Sequence, residues 1–442
     1  MMLKSRFFRR LAAVACLCSA VLLIAAVRAD DGSGGSSRWY KGNTHAHSLW
    51  SDGDTFPEMA ADWYKSHGYD FLALTDHDCL MAGEKWVPLD RGKHFVASSE
   101  MEKCLTRFGS NWLETRQQDG NREVKLKTYG ELCAKLAEPG KFLLIQGEEI
   151  SAKSGDHNVH LNAINLAEPI APKNEQSVVE TLLLNLASVK EQAERLSRPI
   201  LVQVNHPNWK DYDIVPEDLA QASTARFFEV CNGGGTEIHN VGDATHPSTE
   251  KLWDIANTIR IAKMKAPPLY GIAADDTHAY QQFAPACANP GQAWIMVRAK
   301  QLSADALLDA LRRGDFYAST GVLLRDVAYD ANERAIFVKV QSEPGVHYTI
   351  EFVGSEKGVD PAAQPVEPNA ANGQNSRRPG RKYSSEVGKV LAGVKGDSAS
   401  YRLSGKELYV RAVVRSDKSI PNAPPGDIRK QEAWCQPVGW QP

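Results

Sequence analysis

Apolar and polar positions follow two different periods along this chain, and the change between them divides it. Up to about residue 325, short apolar runs at 71–74, 142–145, 161–166, 200–204, 227–230, 269–273 and 294–297 predict buried strands. Between them lie stretches with apolar residues three and four apart. Residues 57–67 carry Met59, Ala60, Trp63 and Tyr64 at helical spacing, with Gly68 as a C-cap. Residues 178–196 place Leu182, Leu183, Leu186 and Val189 on one face and stop before Pro199. Segments 129–137, 249–262 and 304–314, the last capped by Ser303, predict further helices. Strand, helix, strand in succession builds parallel sheets. Beyond 325 the period drops to two. Runs at 335–340, 348–353, 401–403 and 408–415 have no helix between them, which predicts a small β-sandwich over 326–442. Residues 80–140 fit neither period and read as an active-site loop or a solvated insertion; 360–381 reads as a loop with solvated arginines.

Residues at the ends of these apolar runs change the picture. His45 and His47 are spaced i, i+2, so on a strand they share a face. Asp52 comes next, and the run 71–74 ends in Thr75-Asp76-His77-Asp78. Later runs deliver Gly147-Glu148-Glu149, His206 within Asn205-His206-Pro207, Cys231-Asn232, and Asp275-Asp276-Thr277-His278; His157 and His160 precede another. Donor side chains just beyond several strand ends predict a metal site at the mouth of a parallel barrel. His, Asp and Glu without Cys suit zinc, manganese or iron, with carboxylates able to bridge two ions. His160 is preferred to His157 because it opens an apolar strand.

Composition narrows the function classes. A formal charge of −3 and the lack of a Lys/Arg stripe argue against extended duplex nucleic-acid binding. Residues 1–29 read as a secretory signal: Lys4, Arg6, Arg9 and Arg10 precede an apolar run, and Val27-Arg28-Ala29 offers a cleavage site. The expectation is export to the periplasm or the extracellular space, with no stable membrane span after cleavage; an uncleaved anchor or a lipoprotein at Cys16 is the alternative. Residues 30–38 then form a Gly/Ser spacer, and 39–325 the catalytic domain. Cys79, Cys104, Cys133, Cys231, Cys287 and Cys435 remain in the mature chain without a CxxC pair, either as buried thiols or in disulfides. No G-x-S-x-G elbow or P-loop competes with the metal reading.

Taken together, His45-Ala-His47, the Ser-Asp52-Gly turn, Thr-Asp-His77, Gly-Glu-Glu149, Asn-His206-Pro and Asp276-Thr-His278 resemble the PHP (polymerase and histidinol phosphatase) metallohydrolases. The phrase D-W-Y-K-S-H-G-Y-D-F-L-A-L-T-D-H-D is most similar to the exported CehA/McbA-like branch, and the resemblance spans about 39–324. It implies an α/β fold, a distorted (β/α)7 barrel with two or three divalent ions at its carboxyl face. By motif, His45, His47, Glu149 and Asp276 would hold one ion, Glu149, His160 and His206 a second, and Asp52, His77 and His278 a third. Asp52 departs from members that carry His there. The Gly-x-Glu motif selects Glu149 over Glu148. Glu149, Asp52 and His278 would serve catalysis, with a metal-bridged hydroxide attacking a phosphoester. A carboxyl or carbamate ester, or an amide, is the alternative substrate, and a metal- or glycan-binding module the non-enzyme one. Asp76, Asp275, Glu229 and His157 are expected around the ligands; Asn208, Trp209 and Asn232 are expected to touch a small-molecule or oligomeric ester substrate.

Overall fold

Thirteen strands share one mixed sheet in the computed structural model, which describes residues 37–91, 94–284, 286–366, 378–421 and 428–441. The expected signal at 1–29, most of the spacer, and 367–377 of the expected 360–381 loop lie outside the described residues. In chain order the strands are β1 (Arg38–Asn43), β2 (Phe71–Leu74), β3 (Leu143–Ser154), β4 (His157–Ile164), β5 (Leu201–Val204), β6 (Phe227–Asn232), β7 (Tyr270–Ala274), β8 (Trp294–Ala299), β9 (Phe316–Ser319), β10 (Tyr348–Glu356), β11 (Lys389–Lys395), β12 (Glu407–Ser419) and β13 (Lys430–Cys435). Their hydrogen-bonded order is β7-β6-β5-β4-β3-β2-β1-β8-β9-β13-β12-β10-β11.

Strands β1, β2, β3, β5, β6 and β7 run the same way, with β4 reversed between β3 and β5. Strands β2, β6 and β7 are buried at every position, the pattern of sheets covered on both faces. Their cover includes the helices Pro57–Ser66, Val178–Arg195, Thr249–Ile259 and Ala304–Arg313. Pro57 opens the first, and the side chains of Ser177, Ser248 and Ser303 cap the other three. Leu182, Leu186 and Val189 are buried as their spacing requires, while Leu183 is half-buried.

The expected distorted (β/α)7 barrel is not closed among the described residues. Antiparallel β8 occupies the edge of β1 that a closing strand would need, and among the described residues the order does not return on itself. The ends of β1 and β7 nevertheless approach at the mouth. There Ala46 bridges Thr277, His47 N–H donates to Thr277 O at 2.9 Å, and Asp276 N–H donates to His45 O at 2.9 Å.

The C-terminal strands pack as two layers, but one layer is continuous with the main sheet rather than separate from it. Strand β13 pairs with β9, so β10 to β13 continue the main sheet across the expected boundary at 325. A second sheet of Leu324–Asp330, Ala335–Val340 and Ser398–Arg402 lies against them, with Ile336, Val338 and Val340 sharing a core with Ile350, Phe352, Val410 and Val414. Buried Arg411 on β12 pairs with Asp254 of the helix Thr249–Ile259 at 2.6 Å.

Residues 80–140 are packed rather than solvated. They form the helices Ser98–Phe108 and Tyr129–Leu136 and a three-stranded sheet, and Val87, Cys104, Val124 and Leu132 share a core with Trp50, Phe56 and Tyr64. The described arginines of the 360–381 loop dock as well: Arg378 pairs with Asp218 at 2.6 Å and Arg381 with Glu217 at 3.2 Å. All six described cysteines are free thiols. Among the described residues no helix is long and apolar enough to cross a membrane.

Candidate metal centre

The parallel strands converge at their carboxyl ends, and there the chain places its donors. His45 and His47 follow β1, His77 follows β2, His206 follows β5, and Asp276 and His278 follow β7. Glu149 stands in β3 beyond its pairing with β2, where it bridges His77. Because β4 runs the other way, its N-terminal half reaches the same end and brings His160 opposite Ser151. Two of these residues have left-handed backbones, His206 at φ 22° and Asp276 at φ 51°. Such conformations are costly for non-glycine residues and concentrate at functional sites.

Three overlapping donor sets result: His47, Asp52, His77 and His278; His45, His47, Glu149 and Asp276; and His77, Glu149 and His160. In the second, His45 Nε2 lies 3.3 Å from Glu149 Oε2 and 3.0 Å from Asp276 Oδ1. His47 Nε2 lies 3.3 and 3.1 Å from the same two oxygens. A tetrahedral cation with ligands at about 2.0–2.1 Å spaces its ligand atoms by about 3.3–3.4 Å, so these four edges match one. His45 Nε2 is fully buried and makes no hydrogen bond among the described residues, although both carboxylates stand beside it. A buried donor set of this chemistry fits a divalent cation.

Glu149 divides its oxygens. Oε2 faces His45, His47 and also His77 Nδ1, the last at 3.1 Å. Oε1 faces His160 Nδ1 and His206 Nε2, each at 3.1 Å, and accepts from Asn205 Nδ2 at 2.9 Å. On the solvent side, Asp52 reaches His278 Nε2 at 3.3 Å, His77 Nε2 at 3.5 Å and His47 Nδ1 at 3.7 Å.

Electrostatics follow from this crowding. Burial disfavours charge on His45, but Asp276, Glu149 and Glu229 outweigh it and raise its pKa well above the usual value. Burial likewise opposes the imidazolium of His77 and of His278. Glu149 and Asp52 push the first up to about 9, and Asp52 with Asp276 does the same for the second. In return, Glu149 and Asp276 stay well below the ordinary carboxylate range despite burial, because histidines surround them. Asp52 is lowered by His278 and His77 against its own desolvation. His206 is raised, burial being outweighed by Glu149, whereas burial wins at His160 and lowers it.

The remaining expected residues sort by strand parity and by partner. His157 is three positions from His160, so it leaves the opposite face of β4 and pairs with Asp213 at 3.1 Å. Glu148 likewise points away from Glu149 and accepts from Ile170 N–H at 2.6 Å. Neither Asp76 nor Asp275 hydrogen-bonds an imidazole among the described residues. Asp76 accepts from Ser48 and Ser51, fixing the turn after His47. Asp275 accepts from Tyr64 and from the N–H groups of Gly291, Gln292 and Ala293. Glu229 does face a ligand candidate, with Oε1 2.8 Å from His45 Nδ1. Asn208 donates to the carbonyls of His239 and Pro247, and Asn232 to Glu229 and Asp276, so both amides are engaged within the protein. Half-buried Trp209 stands beside the centre, its ring 5.3 Å from that of His160 and 5.0 Å from that of His206. Sequence reading missed Asn205, Gln203 and Ser151. Ser151 Oγ lies 2.7 Å from His77 Nδ1, and Gln203 Nε2 donates to Glu229 at 3.0 Å. Only the adjacency of Asn205 to His206 hinted at any of them.

No protein-family model matches this sequence, and no curated protein does. Among solved structures, one similar to this chain comes from Bacteroides vulgatus ATCC 8482, a two-domain protein containing a predicted PHP-like metal-dependent phosphoesterase. It shares 15% identity over 90% of this chain and 95% of that chain, with a TM-score of 0.38. Another, from Bifidobacterium adolescentis ATCC 15703, is inferred to be a metal-dependent phosphoesterase. It shares 14% identity over 62% of this chain and 94% of that chain, at a TM-score of 0.29.

Proposed function

We propose that this chain is an exported hydrolase that uses two or three divalent cations to cleave phosphoesters. The observation that carries the reading is the split carboxylate of Glu149, whose two oxygens face two separate groups of histidines. In this reading His45 Nε2, His47 Nε2, Glu149 Oε2 and Asp276 hold one ion, and Glu149 Oε1, His160 and His206 a second. Asp52, His77 Nε2 and His278 hold a third. Zinc, manganese or iron suits these donors. Cations bound there supply Lewis acidity and lower the pKa of water toward about 7.

The chain's own contribution is position and exclusion of water. His45, His47 and Glu149 are almost wholly buried, while the side chains of Asp52, His77 and His278 are 40%, 27% and 30% exposed, so substrate approaches across the latter three. Trp209 flanks the His160 and His206 side and offers an apolar surface to the leaving group. Three adjoining donor sets favour a phosphoryl group, whose several charged oxygens can each meet a cation, over a neutral carbamate. The assay is turnover of p-nitrophenyl phosphate, bis-p-nitrophenyl phosphate and a naphthyl carbamate by metal-loaded protein. Phosphoester cleavage abolished by a chelator is expected; cleavage of the carbamate alone refutes the phosphoesterase reading. Export is tested separately by sequencing the N-terminus of the mature protein, which should begin at Asp30.

A further inference from the structure

Glu229 lies on β6 with no solvent exposure, and four donors converge on its carboxylate. His45 Nδ1 stands 2.8 Å and Gln203 Nε2 3.0 Å from Oε1. His206 N–H and Asn232 Nδ2 each stand 2.7 Å from Oε2. An ionised carboxylate offers about four acceptor sites and no donor, so every site is used. Two of the donors belong to different halves of the metal centre. His45 faces Glu149 Oε2 and Asp276, whereas His206 faces Glu149 Oε1.

We infer that Glu229 is a positioning residue for two ion positions at once. It holds the proton of His45 on Nδ1, which leaves Nε2 as the free ligand atom, and it anchors the backbone of His206 in its left-handed conformation at φ 22°. The inference rests on the reading of this cluster as a metal centre. A ring whose outer nitrogen is held by a carboxylate has its tautomer fixed and its basicity raised toward the metal.

An amide at this position would invert that arrangement. In Glu229→Gln one oxygen becomes an NH2 group, and it cannot face His206 N–H, because a backbone donor has no second tautomer. The NH2 must turn toward His45 Nδ1 and Gln203, whose side-chain amide can flip to receive it. It then donates to His45 Nδ1, moves the ring proton to Nε2 and removes that nitrogen as a ligand. Glu229→Ala lacks this inversion, since water in the vacated polar site can accept from Nδ1–H. The amide should therefore damage the centre more than the truncation, the reverse of what a packing role predicts.

The test uses the full chain, stripped of metal and titrated with Co(II), read by bound equivalents and by the visible absorption of the bound ion. Expected affinity at the His45 position falls in the order wild type, Ala, Gln, with roughly 10- to 100-fold lost on losing the supporting carboxylate. The position at Asp52, His77 and His278 should keep its ion in both variants. Wild-type titration curves in Glu229→Gln, or Ala weaker than Gln, overturn the inference while leaving the metal reading intact. A wild-type chain that binds no Co(II) overturns both. Should Glu229→Gln fail to fold, long-range proton–nitrogen spectra of the zinc-loaded wild type decide: His45 must carry its proton on Nδ1, and a proton on Nε2 overturns the assignment.

Discussion

Loading this centre with cations must expel protons, and the side-chain environment gives the number. Burial opposes the charged forms of His77 and His278, yet carboxylates hold both at about 9. A protonated ring nitrogen cannot ligate, so a cation that uses both rings displaces both protons. At pH 7 each ring lies roughly two units below its pKa, so removing each proton costs on the order of 3 kcal/mol. Raised pKa values stabilise the protonated, metal-free form below about pH 9, and that advantage disappears as pH rises through 9. Affinity at the Asp52 position should therefore climb about 100-fold per unit between pH 7 and 8 and level off above about 9. Titration calorimetry with manganese, repeated in two buffers of different ionisation enthalpy at pH 7, counts the protons directly. About two should be released for the ion bound at Asp52, His77 and His278, with more from His45 and His206 as the other positions fill. Binding that releases none, with the same affinity at pH 7 and pH 9, would mean that neither His77 nor His278 is protonated in the metal-free chain or that neither ligates.

Four further substitutions test the account. His160→Ala should lower metal content and turnover, whereas His157→Ala, on the opposite face with Asp213, should leave metal content at the wild-type value by elemental analysis; equal losses would contradict the face assignment. A Cβ at Gly53 would lie 2.7 Å from the carbonyl carbon of His47 and from Ser48 N, so Gly53→Ala must displace the turn that carries His47. A displacement of about 1 Å predicts a kcat roughly 100-fold lower, with a lower Tm as well because the clash is with backbone; wild-type kcat would contradict the role given to this turn. Arg411→Ala leaves Asp254, 2% exposed, without its counter-charge and should cost about 3–5 kcal/mol in urea unfolding; a loss below about 1 kcal/mol would sink the claim that this pair ties β12 to the helix Thr249–Ile259.

Most of the donor candidates stood out because they sit at or near the end of an apolar run, a position that composition and spacing expose without any register; Glu149 lies within β3 and His160 ahead of the apolar part of β4. Asp52, the least expected of them because members of the resembled family carry His there, lies 3.3 Å from His278 and 3.5 Å from His77. Sheet order was not legible. Nothing in an apolar run states its direction, so the reversal of β4 and the seat of β8 against β1 could not be foreseen, and a distorted (β/α)7 barrel was expected in their place. Strand β4 begins before its apolar run, at His157, which is why the parity that separates His157 from His160 needed the structure. Residues 80–140 hid their fold because Val87, Cys104 and Val124 are isolated among charges and meet only in three dimensions. Asn205 and Gln203 escaped for a chemical reason: an amide is too common a side chain to signal a role until its partner, Glu149 or Glu229, is seen.

In the proposed centre Glu149 lies between two cations. Anomalous diffraction from crystals grown with manganese or zinc tests it most directly. Two peaks are predicted to flank the Glu149 carboxylate, one about 2.0–2.2 Å from His45 Nε2 and His47 Nε2 and the other at similar distances from His160 and His206. Metal-loaded crystals with no peak within ligand distance of either Glu149 oxygen would contradict it.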